Sequence, residues 1–301
     1  MNEQKSRTWL WILLGGGAFL VLLIAVLALV GLVAGRRDSE FAGFGDKIGV
    51  VDLEGVIIEP QTLVRQLKEF GDDDSIKAII IHVNTPGGGA AASQEIYSEV
   101  RRIRDEKKKK IVSSVESIGA SGGYYVASGT EKIYANSASI VGSIGVISQW
   151  LNYEDLLKWA KLKDVTFKAG ALKDTGNPAR EMTPEEKAYF QGLIDDMHQQ
   201  FIQAVADGRK LKVDEVKKIA DGRVWTGRQA LPLKLVDKLG DFEMAVQETA
   251  KSVGIKGEPV LVHPEKHKRT LLDVIFGDVS DIIPSETKLL DTHRGFYYLW
   301  K

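Results

Sequence analysis

No cysteine occurs in the 301 residues. Disulfides, thiol catalysis and thiolate metal sites are therefore excluded, although a cysteine-free chain suits either redox regime. Net charge is nearly absent too: 40 basic and 41 acidic residues leave −1. That balance gives no support for nucleic-acid binding. Histidine is scarce, at five residues, and none of His82, His198, His263, His267 and His293 stands at a glycine-bracketed strand end. Each reads as a packing or surface residue. No 20–50-residue repeat is present.

One long apolar run is present. Trp9 to Ala34 carries no charge over 26 residues. At about 1.5 Å per residue it reaches about 39 Å, enough to cross a hydrocarbon core of about 30 Å with tilt. The apolar region of a cleaved signal peptide is shorter, about 7–15 residues, so a retained N-terminal transmembrane helix is expected. Trp9 and Trp11 suit one interface and Arg36-Arg37 the other. Lys5 and Arg7 on the first side balance Arg36 and Arg37 on the second, so charge alone leaves the orientation open.

The expected organisation is an N-terminus and anchor over 1–37, a linker over 38–46, one domain over 47–263 and a tail over 264–301, mobile or docked on a neighbour. Within the domain, strands are expected at Lys47–Ile58, bent at Gly55, and at 77–83, 110–116, 132–135 and 165–168. Another strand is expected to follow the turn at Ser139 within 139–148. Helices are expected at 62–70, 90–106, 124–129, 152–161, 184–208, 213–220, 226–231 and 242–253. Thr183-Pro184-Glu185-Glu186 marks a helix start, with proline in the first turn and acidic residues after it. Such strand–helix alternation implies an α/β fold with crossover connections.

The candidate chemistry centres on Gly119-Ala120-Ser121-Gly122-Gly123. A serine between glycines, where strand meets helix, is a candidate nucleophile, left uncovered by its small neighbours. Amide hydrolysis also needs a base and donors for the tetrahedral oxyanion. The glycine-rich turns at Gly87–Gly89 and Gly122-Gly123 offer backbone N–H groups at two strand ends, and Gly88 and Gly122 are the candidate donors. The first turn lacks the lysine and hydroxyl of a phosphate-binding Walker loop. For the base, most lysines sit in solvated charge runs. Lys173 instead follows Ala169-Gly170-Ala171-Leu172, although on context alone a surface loop lysine paired with Asp174 is the better reading.

The ordered series Asn84-Thr-Pro-Gly-Gly-Gly89, Gly119–Tyr125, Gly142-Ser-Ile-Gly145, Lys168-Ala-Gly-Ala-Leu-Lys-Asp174, Arg180-Glu-Met-Thr183 and Trp225-Thr-Gly-Arg-Gln-Ala230 resembles the short bacterial form of signal peptide peptidase A. That is a serine protease family of the Clp-protease/crotonase superfamily, and the resemblance spans roughly 47–253. It implies a repeated β-β-α superhelix and a Ser–Lys dyad. Ser121 matches the nucleophile, Lys173 the general base and Ser143 the serine that orients the lysine amine. The Gly88 and Gly122 amides match the oxyanion hole. It further implies a homo-oligomer, expected as an octamer, whose lysine reaches the serine of the next subunit. The expected substrates are cleaved signal peptides and other apolar peptides. The expected location is the bacterial cytoplasmic membrane, with the catalytic domain on its extracytoplasmic side. Tyr124, Tyr125 and Ile144–Ile147 are candidates for lining an apolar groove. No cofactor or metal ion is called for.

Two other readings share parts of this pattern. An α/β-hydrolase esterase would need an acidic residue and then a histidine after Ser121. A non-catalytic membrane scaffold on a crotonase-like fold would carry an inert serine. An acyl-CoA crotonase is disfavoured, because no carboxylate pair is placed to handle substrate protons.

Overall fold

The Ile79-Ile80-Ile81 run (0 % exposed throughout) sits at the middle of a parallel sheet and separates two apolar layers. Side chains alternate along a strand. Ile79, Ile81 and Val83 join one core, with Leu67, Ile96, Val126 and Phe201. Ala78 and Ile80 join the other, with Tyr134, Ala245 and Val246. A strand buried on both faces must read as a continuous apolar run, which this one does.

The computed structural model describes residues 46–264 and 296–300, together with Gly17 and Leu22. The chain divides into two units, residues 1–45 and 46–301. Gly17 and Leu22 of the first unit are helical. The expected membrane span otherwise lies outside the described residues, among which no helix is long and apolar enough to cross a membrane.

In the second unit, β1 (Lys47–Ile57), β2 (Ile76–Gly89) and β3 (Lys110–Ala120) pair in parallel, linked by helices α1 (Gln61–Asp72) and α2 (Ala90–Asp105). The helix α3 (Gly122–Ser128) follows β3 directly. Strand β3 then forks. Its first half, Ser113–Val115, pairs with β4 (Ile133–Ala135), and its second half, Ile118–Ala120, with β5 (Ile140–Gly142). The short helix α4 (Glu154–Trp159) lies in a projecting segment before the long α5 (Pro184–Arg209). Smaller elements complete the sheet and its cover: α6 (Val213–Lys217), β6 (Val224–Thr226), α7 (Gly227–Ala230), β7 (Lys238–Leu239), α8 (Phe242–Ser252), β8 (Val260–Val262) and β9 (Tyr297–Leu299). The sheet order is β6-β5-β3-β2-β1-β8, with β4 and β7 branching from β3 and β9 pairing with β2. The chain is thus α/β.

Several expectations change. Residues 165–168 form no strand, and Val165 and Phe167 are 71 % and 95 % exposed. Their β propensity has no neighbour to pair with. After the turn at Ser139, β5 comes early, at Ile140–Gly142, and residues 145–148 make only the isolated bridge at Ile147. Residues 84–89 continue β2 rather than forming a turn, because β1 and β9 pair with them. The start of α5 is as expected: Thr183 accepts from the Glu186 N–H, and Glu186 accepts in return from the Thr183 N–H.

Residues 149–182 form an arm whose apolar side chains face solvent, among them Leu151 (83 % exposed) and Trp159 (80 %). The foot of the arm is held by ion pairs. Asp174 pairs with Lys168 and Arg180, and Arg180 also grips Glu186 at the start of α5, with Nη1 to Oε2 at 2.8 Å. The Arg180 guanidinium, then Lys168, holds the Asp174 carboxyl well below its usual range, and Arg180 brings Glu186 down to about 2. Depressed carboxyls contribute stability fully above the unfolded carboxylate range of about 4, and lose it as pH falls through the folded values. Hydrogen exchange over 150–182, corrected for intrinsic rate, should therefore be constant from neutral pH to about 4 and accelerate between about 4 and 2, ahead of the central strands. Arg180→Met should bring that acceleration to neutral pH, and equal protection in variant and parent would refute the role of the pairs.

Candidate active site

The site begins where β2 and β3 part. Their parallel pairing ends at Thr85 and Gly119. Beyond this point β3 turns through Ser121 into α3, while β2 runs on beside β1. Ser121 adopts φ 52° and ψ −116°, a backbone conformation disfavoured for a side chain with a Cβ. Strain of this kind costs about 1–3 kcal/mol and gathers at functional sites. Two backbone bonds hold the turn: Ser121 N–H donates to Gly142 O at 2.7 Å, and Tyr125 N–H donates to Ser121 O at 2.8 Å.

The glycine end of β2 meets the Gly122 turn here. A Cβ on Gly122 would lie 3.1 Å from Gly88 N and would also collide with Ser93 Oγ. A Cβ on Gly88 would run into the backbone of Ile57. Glycine at 122 lets its backbone come this close to Gly88, and glycine at 88 lets β2 lie this close to Ile57 of β1. Thr85 shapes the approach, since its Oγ1 accepts from Gly87 N–H at 3.0 Å. Ser93, fully buried at the start of α2, donates to Gly89 O at 2.9 Å. Neither Thr85 nor Ser93 stood out in sequence, because each looks like an ordinary strand or helix residue.

Ser143 lies alongside. It follows Gly142 directly, has φ 51°, is 7 % exposed and donates its N–H to Arg223 O at 2.9 Å. The pairing of Ala120 with Gly142 makes Ser121 and Ser143 the next residues on adjacent strands. Ser121, Ser143, Gly88 and Gly122 are therefore gathered at one end of the sheet.

Among the described residues, no hydrogen bond joins Lys173 to Ser121 or Ser143. Lys173 is exposed, in a turn at the foot of the arm, and its N–H donates to Gly170 O at 3.2 Å. Asp174 beside it is engaged by Lys168 and Arg180 instead. The loop ion pair that would make Lys173 an ordinary surface residue is thus taken up elsewhere.

Ser121 is not uncovered as its small neighbours suggested; it is 1 % exposed. Strand β9 lies beside it, antiparallel to Gly87–Gly89, with Gly88 opposite Tyr298. Of the groove candidates, Tyr125 stacks on Tyr298 with ring centroids 5.2 Å apart. Tyr124 instead is wholly buried and donates to Leu235 O at 2.8 Å.

No histidine bonds to Ser121 among the described residues. His82 lies between Asp52 (3.5 Å) and Glu116 (3.9 Å) and packs on Phe242. The Nε2 of His198 is buried without a hydrogen-bond partner, and His263 is exposed. His267 and His293 lie outside the described residues.

This geometry can be set beside known proteins. The pattern of peptidase family S49 matches residues 103–256. A provisionally named protease of Synechocystis is 38 % identical over 78 % of this chain and 85 % of its own length. A protein of Enterococcus faecium provisionally named signal peptide peptidase SppA is 38 % identical over 64 % of this chain, which spans 55 % of it. Protease 4 of Haemophilus influenzae is 34 % identical over 69 % of this chain, which spans 35 % of it. The family pattern covers the serine turn, the Ser143 turn and the arm, and on these likenesses the chain belongs to peptidase family S49, as a peptidase of the SppA type.

Proposed function

We propose that the protein is a membrane-anchored serine endopeptidase with a Ser–Lys dyad, which degrades released signal peptides and similar apolar peptides. The observation that carries this is the approach of Gly122 to Gly88 N at the strained Ser121 turn. It supplies a nucleophile and two backbone donors at one point. The fold assigned is the Clp-protease/crotonase-like superhelix of β-β-α units, over 47–263.

In the reaction, Ser121 Oγ attacks the peptide carbonyl and its proton passes to Lys173 Nζ. The oxyanion is held by the N–H groups of Gly88 and Gly122, and such donors contribute about 2.7–4 kcal/mol each. Collapse breaks the C–N bond, with Lys173 returning the proton to the leaving amine. Water then releases the acyl group by the same route. Ser143 orients the amine.

A lysine acts as a base near neutral pH only where burial disfavours its charged form. Lys173 is exposed in the single chain, so a second copy must bury it. The solvent-facing apolar residues of the arm, with Phe167 at 95 % exposure, are suited to such a contact. This supports a homo-oligomer, taken as an octamer, whose active sites combine Ser121 of one copy with Lys173 of the next. The anchor at 9–34 and the linker at 38–46 would hold the sites against the outer face of the bacterial cytoplasmic membrane, where cleaved signal peptides leave the bilayer.

Lys173→Ala should fold and assemble yet lose about 10²–10⁴-fold in kcat/KM, the usual worth of a general base. Near-normal turnover would refute the assignment, and loss on His263→Ala alone would favour an esterase-type triad. A fluorophosphonate should label Ser121 in the wild type and fail on Ser121→Ala; no labelling of the folded oligomer would favour the scaffold. Random co-assembly of equal Ser121→Ala and Lys173→Ala chains should restore about a quarter of wild-type activity if each site joins two neighbours head to tail. Verified mixed oligomers without activity would refute the shared site.

A further inference from the structure

Strand β2 carries a bulge just before its glycines. Glu54 pairs with Asn84 and Val56 with Gly87, so Thr85 and Pro86 together stand opposite Gly55 alone. An extra residue shifts by one the alternation of every group that follows it on the strand. Which edge the Gly88 N–H faces is therefore set here. The regular ladder fails across a bulge, and Pro86 has no N–H to give. Gly55 and Gly87 both take positive φ, at 65° and 100°.

The Thr85 side chain takes the place of the missing ladder bonds. It is fully buried. Its hydroxyl donates to Gly55 O on β1 and accepts from Gly87 N–H at 3.0 Å. One oxygen thus ties β1 to the residue before Gly88. The methyl group is used as well. A Cβ on Gly123 would lie 2.5 Å from Thr85 Cγ2, so that methyl rests on the residue after Gly122. Hydroxyl and methyl each hold a different backbone, and branching at Cβ fixes their relative direction.

We propose that Thr85 is a positioning residue for the oxyanion site: its hydroxyl fixes the Gly88 amide, its methyl fixes the Gly122 amide, and together they set the spacing of the two donors. The proposal rests on the peptidase reading and deepens it. Oxyanion donors act through placement, and a displacement of about 1 Å can cost about 100-fold in rate. Thr85 carries no proton of the reaction, so the pH dependence of kcat/KM belongs to Lys173 and is untouched by changes at position 85.

The test uses the full-length chain and a fluorogenic peptide of apolar residues. Fluorophosphonate labelling run to completion counts the competent sites, so kcat per labelled site is blind to a misfolded fraction. Thr85→Val keeps the branched shape but leaves Gly87 N–H and Gly55 O without their partner. It should lower kcat per labelled site by about 10–100-fold with KM within about 2-fold and the pH profile of kcat/KM unchanged in shape. Thr85→Ser restores the hydroxyl and should stay within about 5-fold of the parent. Gly123→Ala presses on Cγ2 and should also lower kcat per site, and adding Thr85→Ser, which removes that methyl, should recover part of the loss. Full kcat in Thr85→Val, or Thr85→Ser as impaired as Thr85→Val, overturns the proposal. Where Thr85→Val does not fold, the Gly123 pair decides: no loss, or a loss that Thr85→Ser fails to relieve, overturns it. A wild type that neither cleaves the peptide nor labels at Ser121 removes the peptidase reading, and this assignment with it.

Discussion

The structure turns on one backbone constraint: two central parallel strands stop pairing at Thr85 and Gly119. A strand that leaves its neighbour exposes N–H and C=O groups that must find partners. Here β3 bends into α3 through the strained Ser121, while β2 continues beside β1 to Gly88. Gly122 lies against Gly88 N across the gap because it carries no side chain, and Gly88 lies against the Ile57 backbone for the same reason. Ser121 and the Gly88 and Gly122 amides, the nucleophile and donors of the proposed reaction, stand at the same parting of strands.

Two buried layers keep that gap rigid. The alternating side chains of β2 tie it to α1, α2, α3 and α5 on one face and to α8 on the other. Side chains packed at crystal-like density relax little. The strain of Ser121 is therefore imposed by the closure of β3 against β5, through Ser121 N–H to Gly142 O, and by the first turn of α3. The arm is a contrasting part. Its foot rests on ion pairs and its outer face is apolar and unburied, which suits a segment that completes its packing on another surface.

Much of this was legible in local pattern. The isoleucine run of β2, the helical stripes of α1 and α2, the bend at Gly55 and the Thr183–Glu186 cap each follow from spacing within a few residues. The gathering of Ser121, Gly88 and Gly122 was legible only as glycine turns at two strand ends. What escaped depends on distant partners. Residues 84–89 read as a turn by composition, yet extend as a strand because β1 and β9 flank them. Val165–Lys168 read as a strand by propensity, yet has nothing to pair with. The three-residue strands β6, β8 and β9 are defined by pairing alone. The burial of Ser121 could not be foreseen, since the segment laid beside it comes from the far end of the chain.

The two ends of the site are mechanically joined through Ile147. This residue pairs with Tyr297 of β9 and stands three residues before Trp150, which packs on Phe190 of α5 at the root of the arm. Phe190 in turn packs on Phe296, the residue before β9. Whatever seats the arm therefore also bears on β9 beside Ser121. In the proposed oligomer, a neighbour covering the arm would act on the same aromatic contacts that hold β9 in place. Assembly of that kind would be coupled to the seating of β9 through packed side chains rather than through any change at Ser121, whose turn is held by the sheet. Such coupling needs each partner to distinguish the seated from the displaced β9, and the Trp150–Phe190–Phe296 cluster is where that difference would be felt.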